Sequence, residues 1–239
     1  MPDLTPAQAA AYDQWYDEPL GRQVGPLEKA ALFSLLPPLK GRLVLEGGCG
    51  TGYFTLPLAE QGATLVASDL SGAMLARARD KAEGYGDRIA WVQADLCYLP
   101  FSGEKFDMVA AILVLDFVAD REAAVREMAR VLRPGGFLVL AVLNLFSLWC
   151  LGWKVKALVQ PSRWKSAPFL SEAEWRRLLE RVGAFGQFEW RRAVYGPPWQ
   201  HPWLARLTPW WERLGKRLMP GAGAFLVVKA RRSRDGINL

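Results

Sequence analysis

Residues 43 to 52 read Leu-Val-Leu-Glu-Gly-Gly-Cys-Gly-Thr-Gly, an apolar strand running straight into a glycine turn with a carboxylate at its mouth. A strand this uniformly apolar belongs inside a parallel sheet that is covered on both faces. Gly48, Gly50 and Gly52 carry no Cβ, so the backbone can take positive φ there and a nucleoside can approach it closely. Glu46 argues against a phosphate cradle, because a carboxylate at the strand end repels a pyrophosphate and suits a ligand with an ammonium group and hydroxyls. Spacing points the same way. A dinucleotide fingerprint needs G-x-G-x-x-G and a P-loop needs G-x-x-x-x-G-K-[ST], whereas this chain has G-x-G-x-G and no lysine there.

The rest of the chain alternates strands with helices. After a helical N-terminal segment (about 6 to 36), apolar β-runs fall at 42 to 46, 63 to 68, 88 to 93, 106 to 113 and 136 to 143, with helical patterns between them. That order predicts an α/β fold, a parallel sheet with helices on both faces. Arg-Pro-Gly-Gly at 133 to 136 is expected to end a helix, since Pro134 cannot continue it and the glycines allow the reversal. Ser171 with Glu174 three residues on is a capping box that opens a further helix. Phe185 to Val194 and Phe225 to Ala230 read as two last strands, separated by a Pro- and Trp-rich insertion at 196 to 222.

With 239 residues, 51% of them hydrophobic, the chain has enough apolar material for one sizeable core, so a single domain over 1–239 is expected. Cys49, Cys97 and Cys150 are too few and too scattered for a disulfide framework or a metal site, which predicts a reducing, cytoplasmic setting. Met-Pro-Asp-Leu-Thr-Pro at the N-terminus lacks the basic and apolar regions of a signal peptide. Phe137 to Trp153 is the most membrane-like run; Asn144 and Ser147 interrupt it where a strand would end, so it reads as a core strand leaving into a helix rather than a transmembrane segment. Charge is unevenly placed. Residues 1 to 139 hold 13 Lys and Arg against 18 Asp and Glu, a balance of −5, while residues 140 to 239 hold 17 against 6, a balance of +11, together with nine of the eleven tryptophans.

In an open α/β sheet the ligand sits beyond the carboxyl ends of the strands, so binding residues belong at strand exits. Asp69 follows Leu65-Val66-Ala67-Ser68, and Asp95 follows Val92-Gln93-Ala94. With Glu46 these make three acidic exits. On the E/D-x-G-x-G-x-G pattern, the Asp69-Leu70-Ser71 segment with Met74, and the Asp95-Leu96 segment followed by Leu99-Pro100-Phe101, the sequence resembles the class I S-adenosylmethionine (SAM)-dependent methyltransferases. The resemblance implies a Rossmann-like, seven-stranded, mostly parallel sheet with a C-terminal antiparallel hairpin. It implies a SAM site built from Glu46, Gly48, Cys49, Gly50, Gly52, Asp69, Leu70, Met74, Asp95, Leu96 and Leu113, with S-adenosylhomocysteine as product. Asp69 would accept the ribose hydroxyls and Asp95 the exocyclic amine of adenine. Residue by residue, plainer readings stand beside these, and Asp69 can equally be a helix N-cap.

The same resemblance divides the chain into an N-terminal helical lid (1–40), a SAM-binding core (41–143) and substrate-side insertions (144–170 and 196–222). Tyr16 and Arg22 are lid candidates for contacting the methionine carboxylate, although Trp15 and Tyr16 can as well pack the helix onto the core. Methyl transfer from a sulfonium needs no nucleophile, and no Ser/His/Asp or Cys/His set is present. His201 and Asp116 are candidates for deprotonating or orienting an acceptor; the first can equally be structural and the second a helix cap.

The insertions carry aromatic residues among cations: Trp149, Trp153 and Trp164 with Lys154, Lys156, Arg163 and Lys165, then Trp199, Trp203, Trp210 and Trp211 with Arg206, Arg213, Lys216 and Arg217. Thr208-Pro209 opens a helix with Leu207, Trp210 or Trp211, Leu214 and Leu218 on one face, a basic amphipathic pattern found on anionic membranes. A small-molecule acceptor of apolar or amphiphilic character, in the style of the quinone-biosynthesis branch, is the favoured expectation. Peripheral membrane contact, a nucleic-acid substrate gripped by cations and aromatics, and a SAM-binding regulator without turnover are the alternatives.

Overall fold

In the computed structural model, residues 4–159, 169–198 and 207–234 are described. The sheet is centred on two strands. In β1 (Leu43–Gly47) every residue after the first is buried, and β4 (Phe106–Ile112) is buried throughout. Such strands need cover on both faces, which is why they lie side by side at the centre of the sheet. Around them run β2 (Thr64–Asp69), β3 (Ile89–Gln93), β5 (Leu132–Leu143), β6 (Phe185–Ala193) and β7 (Phe225–Arg232), in the order β3-β2-β1-β4-β5-β7-β6. The first five are parallel; β7 runs antiparallel to both β5 and β6. This is the Rossmann-like seven-stranded sheet with a C-terminal hairpin. Strand order reverses between β1 and β4, so the crevice available to a ligand opens at their carboxyl ends.

Two helical layers cover the sheet. On one face lie α1 (Pro6–Trp15), α2 (Pro19–Phe33), α3 (Thr55–Glu60), α4 (Gly72–Lys81) and α6 (Leu148–Val159); Leu20, Val24, Leu58, Leu75 and Trp149 from these helices join Val44, Met108 and Val139 of the sheet in one core. On the other lie α5 (Arg121–Val131) and α7 (Glu172–Val182), whose Val125, Met128, Trp175 and Leu179 pack on Leu45, Val109 and Leu138. The α7 capping box forms as expected: Ser171 N donates to Glu174 Oε2 at 2.8 Å, and Gly183 ends the helix in the left-handed region. The helix α8 (Thr208–Leu218) stands in the second insertion.

One local expectation is corrected and two gain detail. The N-terminal segment is helical as expected, in two helices broken at residues 16 to 18 ahead of Pro19, which starts α2. Arg-Pro-Gly-Gly does not close a helix. Instead α5 hands over directly to β5, Leu132 pairs with Phe106, and the register then jumps to Met108 opposite Phe137, so residues 133 to 136 form a bulge within the strand pair. Arg133 reaches from this bulge to Asp107, whose other oxygen accepts from Leu43 N at 2.7 Å, fixing the starts of β1 and β4 together. Finally, the 144 to 168 stretch carries α6. The Phe137 to Trp153 run is thereby divided between β5 and α6, and no helix among the described residues is long and apolar enough to cross a membrane.

Trp175 is fully buried between α7 and the sheet. Trp175→Ala is expected to lower unfolding free energy by about 3–5 kcal/mol, since a cavity of that size collapses only in part; a urea titration that shows a smaller drop would place the tryptophan outside the cooperative core.

Candidate functional site

The glycine turn is held by two neighbours. Gly48 N and Cys49 N both donate to Ser68 O, at 2.7 and 2.9 Å, tying the turn to the end of β2. Gly48 has φ of 71°, and a Cβ there would stand 2.3 Å from Val114 Cγ2, so the turn lies directly against the exit of β4. Gly50, at φ 55°, differs: a Cβ on it would meet nothing nearer than Tyr12 Cε1 at 3.8 Å. Backbone at Gly50 is therefore open to whatever lies beneath Tyr12 of α1. Gly52 has φ of 83° and abuts Ala78 of α4.

Asp69 closes the turn. Its Oδ2 accepts from Gly50 N at 2.8 Å and its Oδ1 from Ser71 N at 2.9 Å. The N-cap of α4 is Ser71, which accepts from Met74 N, so the capping role considered for Asp69 falls to its neighbour and Asp69 joins turn to helix. Leu70 is 39% exposed and Met74 is buried. Asp95, at the exit of β3, is exposed, and its Oδ1 accepts from Cys97 N at 2.8 Å. Leu96 is buried with Cδ2 only 2.3 Å from where a Cβ on Gly47 would stand, so β1 must end in glycine for the β3 exit to close on it. Leu113 takes φ of 54°, rare for a branched side chain, and is secured there by its N–H, which donates to Ala141 O at 2.7 Å.

Glu46 is buried and its Oε2 makes no hydrogen bond. Burial pushes its carboxyl up to about 8; Thr55 offsets part of this and the Asp69 charge adds to it. Burial likewise raises the Cys49 thiol well above its usual range, making it a packing group rather than a nucleophile.

Over the turn lies the N-terminal segment expected to form a lid. Tyr16 is buried and stacks on Tyr53, centroids 3.5 Å apart and planes 12° from parallel, with Tyr12 and Trp15 edge-on to it. Asp13 of α1 accepts from Thr51 Oγ1 at 2.8 Å, Lys81 Nζ at 2.6 Å and Arg77 Nε at 3.0 Å. Burial opposes its ionisation, but Lys81, Thr51 and Arg77 outweigh that and hold the carboxyl below its usual range. The lid helix is thus strapped to both the glycine turn and α4. Sequence reading passed over Asp13, whose partners lie 38 to 68 residues away. It also passed over Glu28 of α2, a buried acid on the hydrophobic face of an amphipathic helix, which is a signal visible in the sequence. Glu28 Oε2 is unpartnered, and burial raises its carboxyl to about 8.

The remaining candidates separate. Arg22 is exposed on α2 and is not brought against the turn by any described contact. Asp116 is 1% exposed; its Oδ2 accepts from Leu143 N at 2.9 Å, and burial raises the carboxyl to about 6. It pins the end of β5 to the exit of β4, and the cap of α5 is Asp120 instead. His201, with Trp164, Trp199 and Trp203, lies outside the described residues.

A group whose folded pKa is raised favours the fold in its protonated form. For Glu28 that contribution is complete below its ordinary value of 4.5 and is lost as pH climbs through 8. Glu28→Gln is therefore expected to match the parent near pH 4 and to exceed it by roughly 4 kcal/mol at about pH 8. Urea titrations across that range check it; a constant difference would mean that Glu28 keeps one charge state throughout.

The residues fit a nucleoside bearing an ammonium group. Backbone is bare at Gly50, an unpartnered carboxyl oxygen stands at the β1 exit, and two further acids stand at the β2 and β3 exits. A methyltransferase-domain family model matches residues 45–140, the stretch that carries all three acids. Methyltransferase GfsG of Streptomyces halstedii is 38% identical over 137 residues, covering 54% of this chain and 49% of that protein. A demethylmenaquinone methyltransferase of Mycolicibacterium paratuberculosis is 43% identical over 99 residues, 41% of this chain and 40% of its own. The chain thus spans about half the length of the curated relatives it matches, or less. In fold, it is similar to a SAM-dependent methyltransferase of Thermotoga maritima, a possible histamine N-methyltransferase, with TM-score 0.72 and 23% identity over 95% of this chain and 98% of the other. The family match and the three acidic strand exits it spans agree on one assignment: residues 45–140 form a methyltransferase domain, set in a chain with the fold of SAM-dependent methyltransferases.

Proposed function

We propose that this protein transfers a methyl group to an apolar or amphiphilic small-molecule acceptor. The observation that carries the reading is the set of acids at three adjacent strand exits under an aromatic lid. Bound SAM supplies a sulfonium-activated methyl, so the chain has to position rather than activate, and alignment alone is worth up to ~7–11 kcal/mol. Glu46, with its unpartnered oxygen, would hold the amino acid end of the cofactor, Asp69 would accept from the ribose hydroxyls, and Asp95 would accept from the adenine amine. Tyr12, Tyr16 and Tyr53 exclude water above Gly50. Asp116 acts by position: its bond to Leu143 N sets where the chain leaves β5 toward the acceptor side.

Support for the acceptor class comes from the side of the crevice beyond β4 and β5. Trp149 is buried with its Nε1 donating to Gly196 O at 2.8 Å, and Trp153 packs beside it and against Phe169, giving an apolar aromatic wall where the two insertions meet. The demethylmenaquinone methyltransferase relative acts, by its name, on an acceptor of that character. Three unpaired cysteines suit a cytoplasmic setting.

Calorimetric titration with SAM and S-adenosylhomocysteine is the first test, and binding of neither would end the reading. Gly50→Ala is expected to stay folded, losing only about 1–2 kcal/mol to its left-handed φ, while its methyl group blocks the cofactor and abolishes binding. Asp95→Ala, at an exposed position, should weaken SAM binding about tenfold or more. Transfer of a labelled methyl to quinol-like acceptors then decides between an enzyme and a SAM-binding regulator: tight cofactor binding without product across such acceptors would favour the regulator.

A further inference from the structure

The helix α8 has a face that the fold does not use. It sits down on the protein through Glu212 and Gly215, both buried: Glu212 Oε1 accepts from Tyr195 N at 2.6 Å, and Gly215 lies against the Tyr195 ring. On the outside, Trp210 is 52% exposed, Leu207 43%, Leu218 64% and Met219 46%. At 100° per residue, Leu207, Trp210, Leu214 and Leu218 fall within one stripe, and Arg213 and Arg217 flank it on the side away from the protein. The sole acid of α8 is the buried Glu212, which Lys216 Nζ approaches at 3.9 Å, so every charge the helix shows to solvent is positive: Arg213 and Arg217, with Lys216, its side chain 59% exposed, beside them.

This stripe stands at the edge of the sheet where the site is. β6 runs parallel to β1, so the insertion that bears α8 leaves β6 at the edge where the glycine turn lies. Thr208 Oγ1 donates to Gln23 Oε1 of the lid helix α2 at 3.0 Å, and Trp149 of α6 donates to Gly196 just beyond β6. On α6 itself, Leu151 is 59% exposed and Lys154 is exposed. Apolar side chains with cations beside them, on a helix lying tangential to the protein, match a surface whose interior is hydrocarbon and whose skin is anionic. An aqueous partner of either character alone would leave half of the pattern unused.

We propose that α8 docks this protein on anionic lipid bilayers, with Leu207, Trp210 and Leu218 entering the acyl boundary and Arg213, Lys216 and Arg217 meeting lipid phosphates. The orientation places the lid and the acceptor side of the crevice at the membrane surface, from which an amphiphilic acceptor can pass without crossing water. Docking itself does not depend on the methyltransferase reading; the route of the acceptor does.

The test is flotation of the full chain with vesicles of equal parts phosphatidylcholine and phosphatidylglycerol, and with phosphatidylcholine alone. Binding to the first, little to the second, and release at about 0.5 M salt are expected, because screening shortens to a few ångströms there. Arg213→Gln with Arg217→Gln should weaken binding roughly 30-fold, from the loss of two cations at an anionic surface. Trp210→Ser with Leu218→Ser should weaken it about tenfold or more. All four positions are solvent-facing, and circular dichroism together with an unchanged SAM titration verifies that each variant is folded with its cofactor site intact. Failure to float, or flotation that neither pair alters, overturns the proposal. So does a scattering mass that halves in the Trp210/Leu218 variant, which would make the stripe a contact between copies. Retention on single-stranded RNA without flotation would likewise overturn it in favour of a nucleic-acid surface.

Discussion

One carboxylate joins the parts of this molecule that must agree on where a ligand goes. Asp69 takes one amide from the glycine turn after β1 and another from the start of α4, so the exit of β1, the exit of β2 and the helix between β2 and β3 are set relative to one another by two hydrogen bonds of under 3 Å. Charge-assisted bonds of that length are stronger than neutral ones and directional. The lid takes its position from the same place: Thr51, in the turn, and Arg77 and Lys81, on α4, are the three partners of Asp13. Helix α1 can therefore seat only when turn and α4 are already in register.

Burial carries a second message. Glu28 and Glu46 are carboxyls enclosed beside the turn and its aromatic lid, each with an oxygen that no group in the protein meets. Enclosing them costs stability that apolar residues of similar size would not, which marks the lid interface as a place where the sequence departs from the best-packed solution. Sites of this kind keep their polar groups for a ligand. The left-handed Leu113 at the β4 exit is a smaller departure of the same sort, a few ångströms along the same edge from the turn.

Much of this could be read from the residues alone. Central strands declare themselves by unbroken apolar runs, and acids directly after such runs must fall at one edge of a parallel sheet, which is how Glu46, Asp69 and Asp95 were placed. The amphipathic α8 was legible for the same reason, since its period is local. What could not be read depends on pairs distant in the chain. Asp13 and its three partners span up to 68 residues, Asp116 looks like a cap until Leu143 comes up beside it, and Gly47 has no evident purpose until Leu96 closes on it. The bulge at 133 to 136 misled for a different reason: Pro and Gly break a helix and a strand pair equally well, and only pairing across to Phe106 and Met108 distinguishes the two.

Reversal of β7 has a consequence for how such a protein can change. Since β6 climbs to the site edge and β7 descends from it, the segment between them begins and ends at neighbouring points, with Ala224 N bonded to Val194 O at 3.0 Å like a clasp. Everything inside the clasp, α8 included, is a cassette: it can be lengthened, shortened or exchanged without moving a strand, because closing a longer loop adds little entropy once its ends are fixed. A lineage could thus alter what the crevice receives, and from which phase, while the machinery under the turn stays untouched.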